Sequence, residues 1–342
     1  MLELEFSAAD LAGTNFAISP LWELVCSLRV LQTPAPDAVH FPWVEDVRTK
    51  FEHLPEARLL RAIVPPGHYI PDFLTPPPST ALPQLDAELD KVVATPAAVL
   101  RRDLKHAYPN GLPEVLVAVA RNPSGGLRSI AEALNAYWDC AIAGTWPALR
   151  DLLQSDIVHR SRDFANGGAA QLFGNLDPRV MWSGATLTVD NSRCLSSFHT
   201  CTIGTCALHS DLVRLNLGGA GMLLMPSAFA WPSILTMTTP ELRPMLIYPA
   251  RGVATLWGYP LSVVAANGLA QLMGAHRAAL LASLNGPATT TQLARRTALT
   301  AGGVSQHLAV LRNASLVRSS RSGRVVLYAR TPLGEALVNA TS

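Results

Sequence analysis

The chain has 342 residues, 49% of them hydrophobic and 15% charged, and its 27 Lys+Arg against 25 Asp+Glu leave a formal charge of +2. That length and apolar content predict two domains with cores of their own, and they exclude a disordered chain, a collagen, a mucin and a charged tail protein. The near-neutral total hides a partition: over residues 268–342 eight arginines meet the single acid Glu335, a net of +7, which leaves −5 for the remainder. A small basic module on a larger acidic body points to a polyanionic partner at one end.

Five cysteines, an odd number, stand at Cys26, Cys140, Cys194, Cys201 and Cys206. Residues 1–6 alternate Leu and Glu where a signal peptide would be basic and then apolar, so a reducing cytoplasm is the expected compartment. The uncharged stretches 215–240 and 252–276 are interrupted by Gly218, Gly219, Pro226 and Pro232, and by Gly258, Pro260 and Gly268. Neither holds the ~20 continuous apolar residues of a spanning helix, and no membrane partner is expected.

The opening alternation predicts a strand, and Ser7 with Asp10 resembles a capping box. Ser19 as cap and Pro20 at the first helical position start an amphipathic helix over residues 20–31, where Leu21, Leu24, Val25, Leu28 and Leu31 recur at helical spacing. Pro34 and Pro36 close it. Seven prolines over residues 65–83 predict a semi-extended loop. Helical patterning resumes through 85–104, 112–120, 130–143 and 147–164. Beyond Val180, short runs at 180–189, 212–217, 221–226, 244–248 and 253–257 predict strands of one antiparallel or mixed sheet.

The last part of the chain carries a mechanism. Residues 269–284 predict a helix stopped by Asn285-Gly286-Pro287, and Thr289 to Thr291 cap a short second helix ending at Thr297. Leu299 sits in the turn, and Thr300 caps a third helix with Val304, Leu308 and Leu311 on one face. Leu316-Val317-Arg318, a turn over 319–323 and a return over 324–329 make a two-stranded wing, so the order is that of a helix-turn-helix with a wing. The fold class is therefore α+β: a helical then β-rich N-terminal domain over residues 1–265, followed by a winged helix-turn-helix domain over residues 268–342.

Val304-Ser305-Gln306-His307-Leu308, Leu311, Leu316-Val317, Arg321-Ser322-Gly323-Arg324, Tyr328 and Thr331-Pro332-Leu333-Gly334 resemble the winged-helix domain of ArsR/SmtB-type transcriptional regulators. The N-terminal text, notably Ser19-Pro20-Leu21-Trp22-Glu23-Leu24 and Ile247-Tyr248-Pro249-Ala250-Arg251-Gly252, is similar to a group of actinobacterial regulators of that type with a large N-terminal domain of unknown function. The resemblance implies a homodimeric repressor on an inverted-repeat operator in double-stranded DNA. A small-molecule effector of the N-terminal domain is a further expectation, and no cofactor or enzymatic activity is expected.

A helix in the major groove reads bases with side chains near its N-terminus. The DNA-contacting candidates are Thr300, Gly302, Gly303, Ser305, Gln306 and His307, with Arg312, Arg318, Arg321 and Arg324 for phosphates or a minor groove. Gln306 alone among them has the bidentate amide that suits adenine. Gly302 and Gly303 withhold two side chains from the reading helix, which shifts specificity toward the wing and DNA shape.

The metal sites of the resembling family do not carry over, because residues 289–297 lack cysteine and the tail offers only Glu335. The alternative ligand set Cys194, His199, Cys201, Cys206 and His209 lacks a Cys-x2-Cys spacing, and buried structural thiols are the expectation. It leaves a metal- or thiol-responsive regulator as one alternative, and an enzyme with a winged-helix appendage as another. Asp156, His159 and Asp163 share a helix face at i, i+3 and i+7, an arrangement open to metal binding or acid-base work, but neighbouring Arg160 and Arg162 favour a salt-bridged surface. Trp182, Trp231, Trp257 and Tyr248 are expected to be core aromatics more than a ligand pocket.

Overall fold

The computed structural model describes residues 1–34, 36–65, 69–190, 213–239, 242–257, 266–284, 286–297, 299–322 and 325–339. The chain divides into two units, Met1–Ala250 and Arg251–Ser342.

In the first unit β1 (Leu2–Glu5) buries Leu2 and Leu4 and leaves Glu3 and Glu5 more exposed, as its alternation requires. It lies between β4 (Thr186–Val189), antiparallel, and β5 (Val213–Asn216), parallel. β3 (Val180–Ser183) pairs with β4, so the run at 180–189 is a hairpin rather than one strand, turning at Gly184. The other strands, β2 (Asn15–Phe16), β6 (Leu223–Ser227), β7 (Leu235–Met237) and β8 (Met245–Pro249), make a second sheet of order β2-β6-β8-β7.

Two sheets thus replace the single sheet expected. β6 and β8 are parallel, central and buried at every residue, which explains their unbroken apolar runs, whereas β1 alternates because only one of its faces is covered. Leu4, Leu187, Phe173, Leu224, Leu246 and Tyr248 belong to one core cluster that spans both sheets.

α1 (Ala8–Gly13) begins with the expected reciprocal cap between Ser7 and Asp10. α2 (Pro20–Gln32) is capped by the Ser19 hydroxyl, which accepts the Trp22 N–H at 3.0 Å. It is buried from Pro20 to Leu31, Glu23, Ser27 and Arg29 included, so it is a central helix and not an amphipathic surface one. α3 (Phe41–Glu52) and α4 (Ala57–Ile63) occupy a region in which the sequence patterns assigned no element. The helix expected over 85–104 is two, α5 (Leu85–Val93) and α6 (Ala97–Ala107), parted at Thr95-Pro96 because proline lacks an N–H and disfavours helical backbone before it. α7 (Glu114–Arg121) and α8 (Pro123–Ala141) follow, the latter starting at Asn122-Pro123, well before Ile130. α9 (Trp146–Gly174) runs past Phe164 and breaks its helical dihedrals at Gly167 and Gly168.

Within the proline-rich segment residues 69–75 are buried and hold a 3-10 turn, Asp72–Leu74, while residues 79–81 are exposed. Its polar backbone is satisfied from inside. Asp103 of α6 accepts the Phe73 N–H at 3.0 Å, and the Thr239 hydroxyl donates to Asp72 at 2.7 Å.

In the second unit the strand expected at 253–257 is instead a 3-10 turn, Val253–Thr255, entered through left-handed Gly252 at φ 80°. The single helix expected over 269–284 is α10 (Ala266–Met273) and α11 (Ala275–Ser283), separated by Gly274 at φ 85°, a conformation no helix continues. α12 (Thr290–Thr297) and α13 (Ala301–Asn313) follow, then β9 (Val317–Ser322) and β10 (Val325–Arg330), paired antiparallel, and α14 (Pro332–Asn339). Residues 319–322, expected in a turn, lie within β9. Leu280, Leu281, Leu284, Leu293, Val304, Leu308 and Leu311 fill the core. Ala288 exchanges both backbone hydrogen bonds with Tyr328, at 2.9 and 2.8 Å, and so ties the link before α12 to the wing.

A Cβ on Gly334 of α14 would stand 2.2 Å from the Leu316 carbonyl oxygen, a backbone atom that cannot swing aside. Gly334→Ala is therefore expected to destabilise this unit by about 1–3 kcal/mol despite the better helix propensity of alanine, read as a lower midpoint in thermal unfolding. An unchanged or raised midpoint would contradict the close packing of α14 on Leu316.

Candidate nucleic-acid interface

The two helices of the reading head are closed by their own sequences. At α12 the Thr289 hydroxyl accepts the Gln292 N–H at 3.1 Å, while the Gln292 side chain accepts the Thr289 N–H at 2.9 Å, a reciprocal capping box. At α13 the Thr300 hydroxyl accepts the Gly303 N–H at 3.1 Å. Val304, Leu308 and Leu311 are buried at i, i+4 and i+7, which turns the opposite side of α13 outward with Gly302, Ser305, Gln306 and Arg312 exposed.

The far end of α13 is equally defined. Leu316 N–H reaches the Leu311 carbonyl and Ser315 N–H reaches that of Arg312, both at 2.9 Å, with Leu311 and Leu316 packed in the same core. This is a Schellman motif, and its left-handed position is taken by Ser315 at φ 58°. Ser315→Gly should relieve the Cβ strain and stabilise the unit by about 0.5–1 kcal/mol, seen as a raised denaturant midpoint at unchanged slope.

Among the candidate side chains the structure separates those with spent hydrogen bonds from those without. Thr300 is engaged as the cap, and the Ser305 hydroxyl donates back to the Ala301 carbonyl at 3.0 Å. No Cβ contact lies within 4 Å of Gly302, whereas a Cβ on Gly303 would press the Thr300 hydroxyl at 3.3 Å. Gln306 is exposed, and its amide bonds to nothing among the described residues. His307 is half-buried, with its ring centroid 5.5 Å from that of His276 on α11, a neighbour that sequence spacing does not reveal.

On the wing, Arg318 stands opposite Ala329 and Arg321 opposite Val326. Three residues apart on a strand, the two arginines leave opposite faces of the ribbon; Arg321 shares the side of buried Val317, further along β9. Arg324 lies outside the described residues. Arg296 contributes a structural bond, its guanidinium reaching the Ser283 carbonyl.

The electrostatics of this unit sharpen its basic character. Glu335, the sole acid in residues 268–342, lies 2.9 Å from the Arg330 guanidinium and 3.7 Å from that of Arg251. Its charge is absorbed at the base of α14. Arg312, Arg318 and Arg321 are exposed in the same unit.

Elsewhere the candidates resolve differently. Cys194, His199, Cys201, Cys206 and His209 lie outside the described residues. Cys26 is buried and Cys140 half-buried, both as free thiols. Among the described residues no group of three or more His, Cys, Asp or Glu is placed to hold a metal ion, and no helix is long and apolar enough to cross a membrane.

α9 does bring Asp156, His159 and Asp163 to one face, but the expected salt-bridged surface is a buried ionic cluster. Arg160, 3% exposed, lies 3.6 Å from Asp156 and 3.8 Å from Asp163, and it donates to the Asn175 and Leu176 carbonyls. Trp182 stacks on Phe173 with centroids 5.1 Å apart, and Tyr248 is fully buried, so both are core aromatics; Trp231 is exposed.

Residues 279–319, from α11 through the start of β9, match the family model described as bacterial regulatory protein, arsR family. No curated protein and no solved structure matches the chain.

Proposed function

We propose, from the ArsR-family helix-turn-helix domain that the chain carries at its C-terminus, that the protein is a sequence-specific transcriptional repressor acting in the cytoplasm as a homodimer on an inverted-repeat operator. The observation that carries this reading is the outward face of α13 with the exposed amide of Gln306, together with exposed arginines on α13 and β9 in a unit whose sole acid, Glu335, pairs with Arg330. Phosphate contacts from those arginines would position the helix, and the amide would supply base discrimination.

Dimerisation is supported by two large apolar side chains left in solvent, Leu272 of α10 at 76% and Leu333 of α14 at 57% exposure. For the first unit we infer a sensing role rather than catalysis. Its buried acids Glu23, Glu88 and Asp103 each accept backbone N–H groups and so serve the fold. An effector would act by binding the DNA-competent and incompetent states unequally.

Capture of genomic fragments by the purified full chain tests the reading. The expected result is enrichment of a few promoter regions sharing an inverted repeat, with two chains per operator by sedimentation. Recovery of bulk DNA without a shared sequence would overturn it.

A further inference from the structure

We propose that the groove between α6 and α7 in the first unit is a binding site for a small organic carboxylate with an apolar body. This deepens the sensing role above and rests on it only for the consequence at the operator.

Arg101, Leu104, Lys105 and Tyr108 recur at i, i+3, i+4 and i+7 along α6 and its end, and so line one wall. Gly111 and Leu112 of the following loop and Ala120 of α7 close the other, around a cavity of about 370 Å³. That volume lies in the ~300–1,000 Å³ range of small-molecule sites. The floor is apolar: half-buried Leu112 and Ala120 present its surface, above the fully buried Leu104.

The polar groups converge from one side and carry one sign. Arg101 donates through Nε to the Ala120 carbonyl at 3.3 Å, which holds its guanidinium across the groove with the terminal nitrogens unengaged among the described residues. Lys105, one turn on, makes no ion pair among the described residues. No carboxylate lines the cavity, since Asp103 points inward to the Phe73 N–H and Arg102. The Tyr108 hydroxyl is spent on the Ala62 carbonyl, so its ring serves as a fixed wall.

Two cations one helical turn apart above an apolar floor select a ligand with both features. A carboxylate can take a paired bond from the guanidinium and a charge contact from the ammonium, while its apolar body covers Leu112 and Ala120. An inorganic anion would leave the floor in water, and a neutral apolar compound would leave both cations unused.

Isothermal titration of the full chain with phenylacetate and with isovalerate tests the site, using phenylacetamide and inorganic phosphate as comparisons. Saturable binding of one carboxylate per chain is expected, at least tenfold tighter than phenylacetamide or phosphate. The doubly substituted Arg101→Gln, Lys105→Gln chain should lose at least tenfold, while Arg128→Gln on the exposed side of α8 keeps wild-type affinity. Absence of binding by both carboxylates, equal binding of phenylacetamide, or undiminished affinity in the double variant would overturn the proposal. Carboxylate binding without any change in operator affinity would uphold the site and remove the sensing role.

Discussion

Arg321→Ala is expected to weaken binding to all DNA sequences alike and to lower the slope of log affinity against log salt by about 1 per protomer, whereas Gln306→Ala should leave the slope intact. The amide variant should instead lose about 1–3 kcal/mol on the operator and little on unrelated DNA, because a bidentate base contact discriminates and a phosphate contact does not. The contrast comes from their positions. Gln306 projects from the first half of α13, where the helix begins with a cap and two glycines, and Arg321 extends from β9 on the ribbon. Arg318 supplies an internal comparison, since strand periodicity sets it on the other face, and Arg318→Ala should change the slope less than Arg321→Ala. Fluorescence anisotropy on operator and scrambled duplexes at about 50 and 200 mM salt separates these effects. Equal losses for Gln306→Ala on both duplexes would remove base reading from α13.

The reading head was legible because its determinants are local. Thr300, Val304, Leu308 and Leu311 define one capped helix within a dozen residues, and the family resemblance is carried by the same stretch. What escaped was either too short or too distant in sequence. The Ala288–Tyr328 pairing involves one residue on one side, and Gly274 costs an isolated helix pattern only ~1 kcal/mol, too little to mark a break against flanking leucines. That Thr300 and Ser305 spend their hydroxyls on α13 itself depends on rotamers, which no spacing encodes.

In the first unit the span of α2 was readable from Ser19-Pro20, but not its burial on every side, because Glu23, Ser27 and Arg29 mimic a polar face. Val44, Val47 and Phe51 of α3 do stand at helical spacing behind Pro42, a signal available in the sequence. The division into two sheets was not available: β1 finds its partners at β4 and β5, far along the chain, and β6 is parallel to β2 and β8. Such pairings are set by tertiary packing rather than by local pattern. The α6–α7 groove likewise depends on a helix break at Pro96 and a loop position that periodicity does not place.

Glu23→Gln is expected to make the first unit more stable at alkaline pH and to flatten its stability between about pH 5 and 8.5. Glu23 is 1% exposed, and its Oε2 accepts the Ala228 N–H at 3.0 Å while Oε1 has no hydrogen-bond partner among the described residues. Burial pushes its pKa up to about 7, against the pull of the Ser227 hydroxyl and the Ala228 and Phe229 N–H groups. A carboxyl whose folded pKa is raised binds its proton more tightly in the folded state. Its contribution is therefore fully present below the unfolded value of 4.5 and is lost as pH rises through about 7. Glu88, held up to about 7, and Asp103, up to about 6, both chiefly by burial, act in the same direction. His40, which contacts the Ala228 carbonyl at 3.0 Å, opposes them: burial lowers its pKa, so its contribution is lost as pH falls below 6.5. The glutamine keeps the volume and an acceptor for Ala228 without a charge to bury. Removing one such carboxylate should recover about 3 kcal/mol at alkaline pH, on the order of 1.4 kcal/mol per pKa unit. Urea unfolding of wild type and variant at about pH 5.5 and 8.5 measures it, and an equal loss of stability with pH in both proteins would show that the pKa of Glu23 is not raised in the fold.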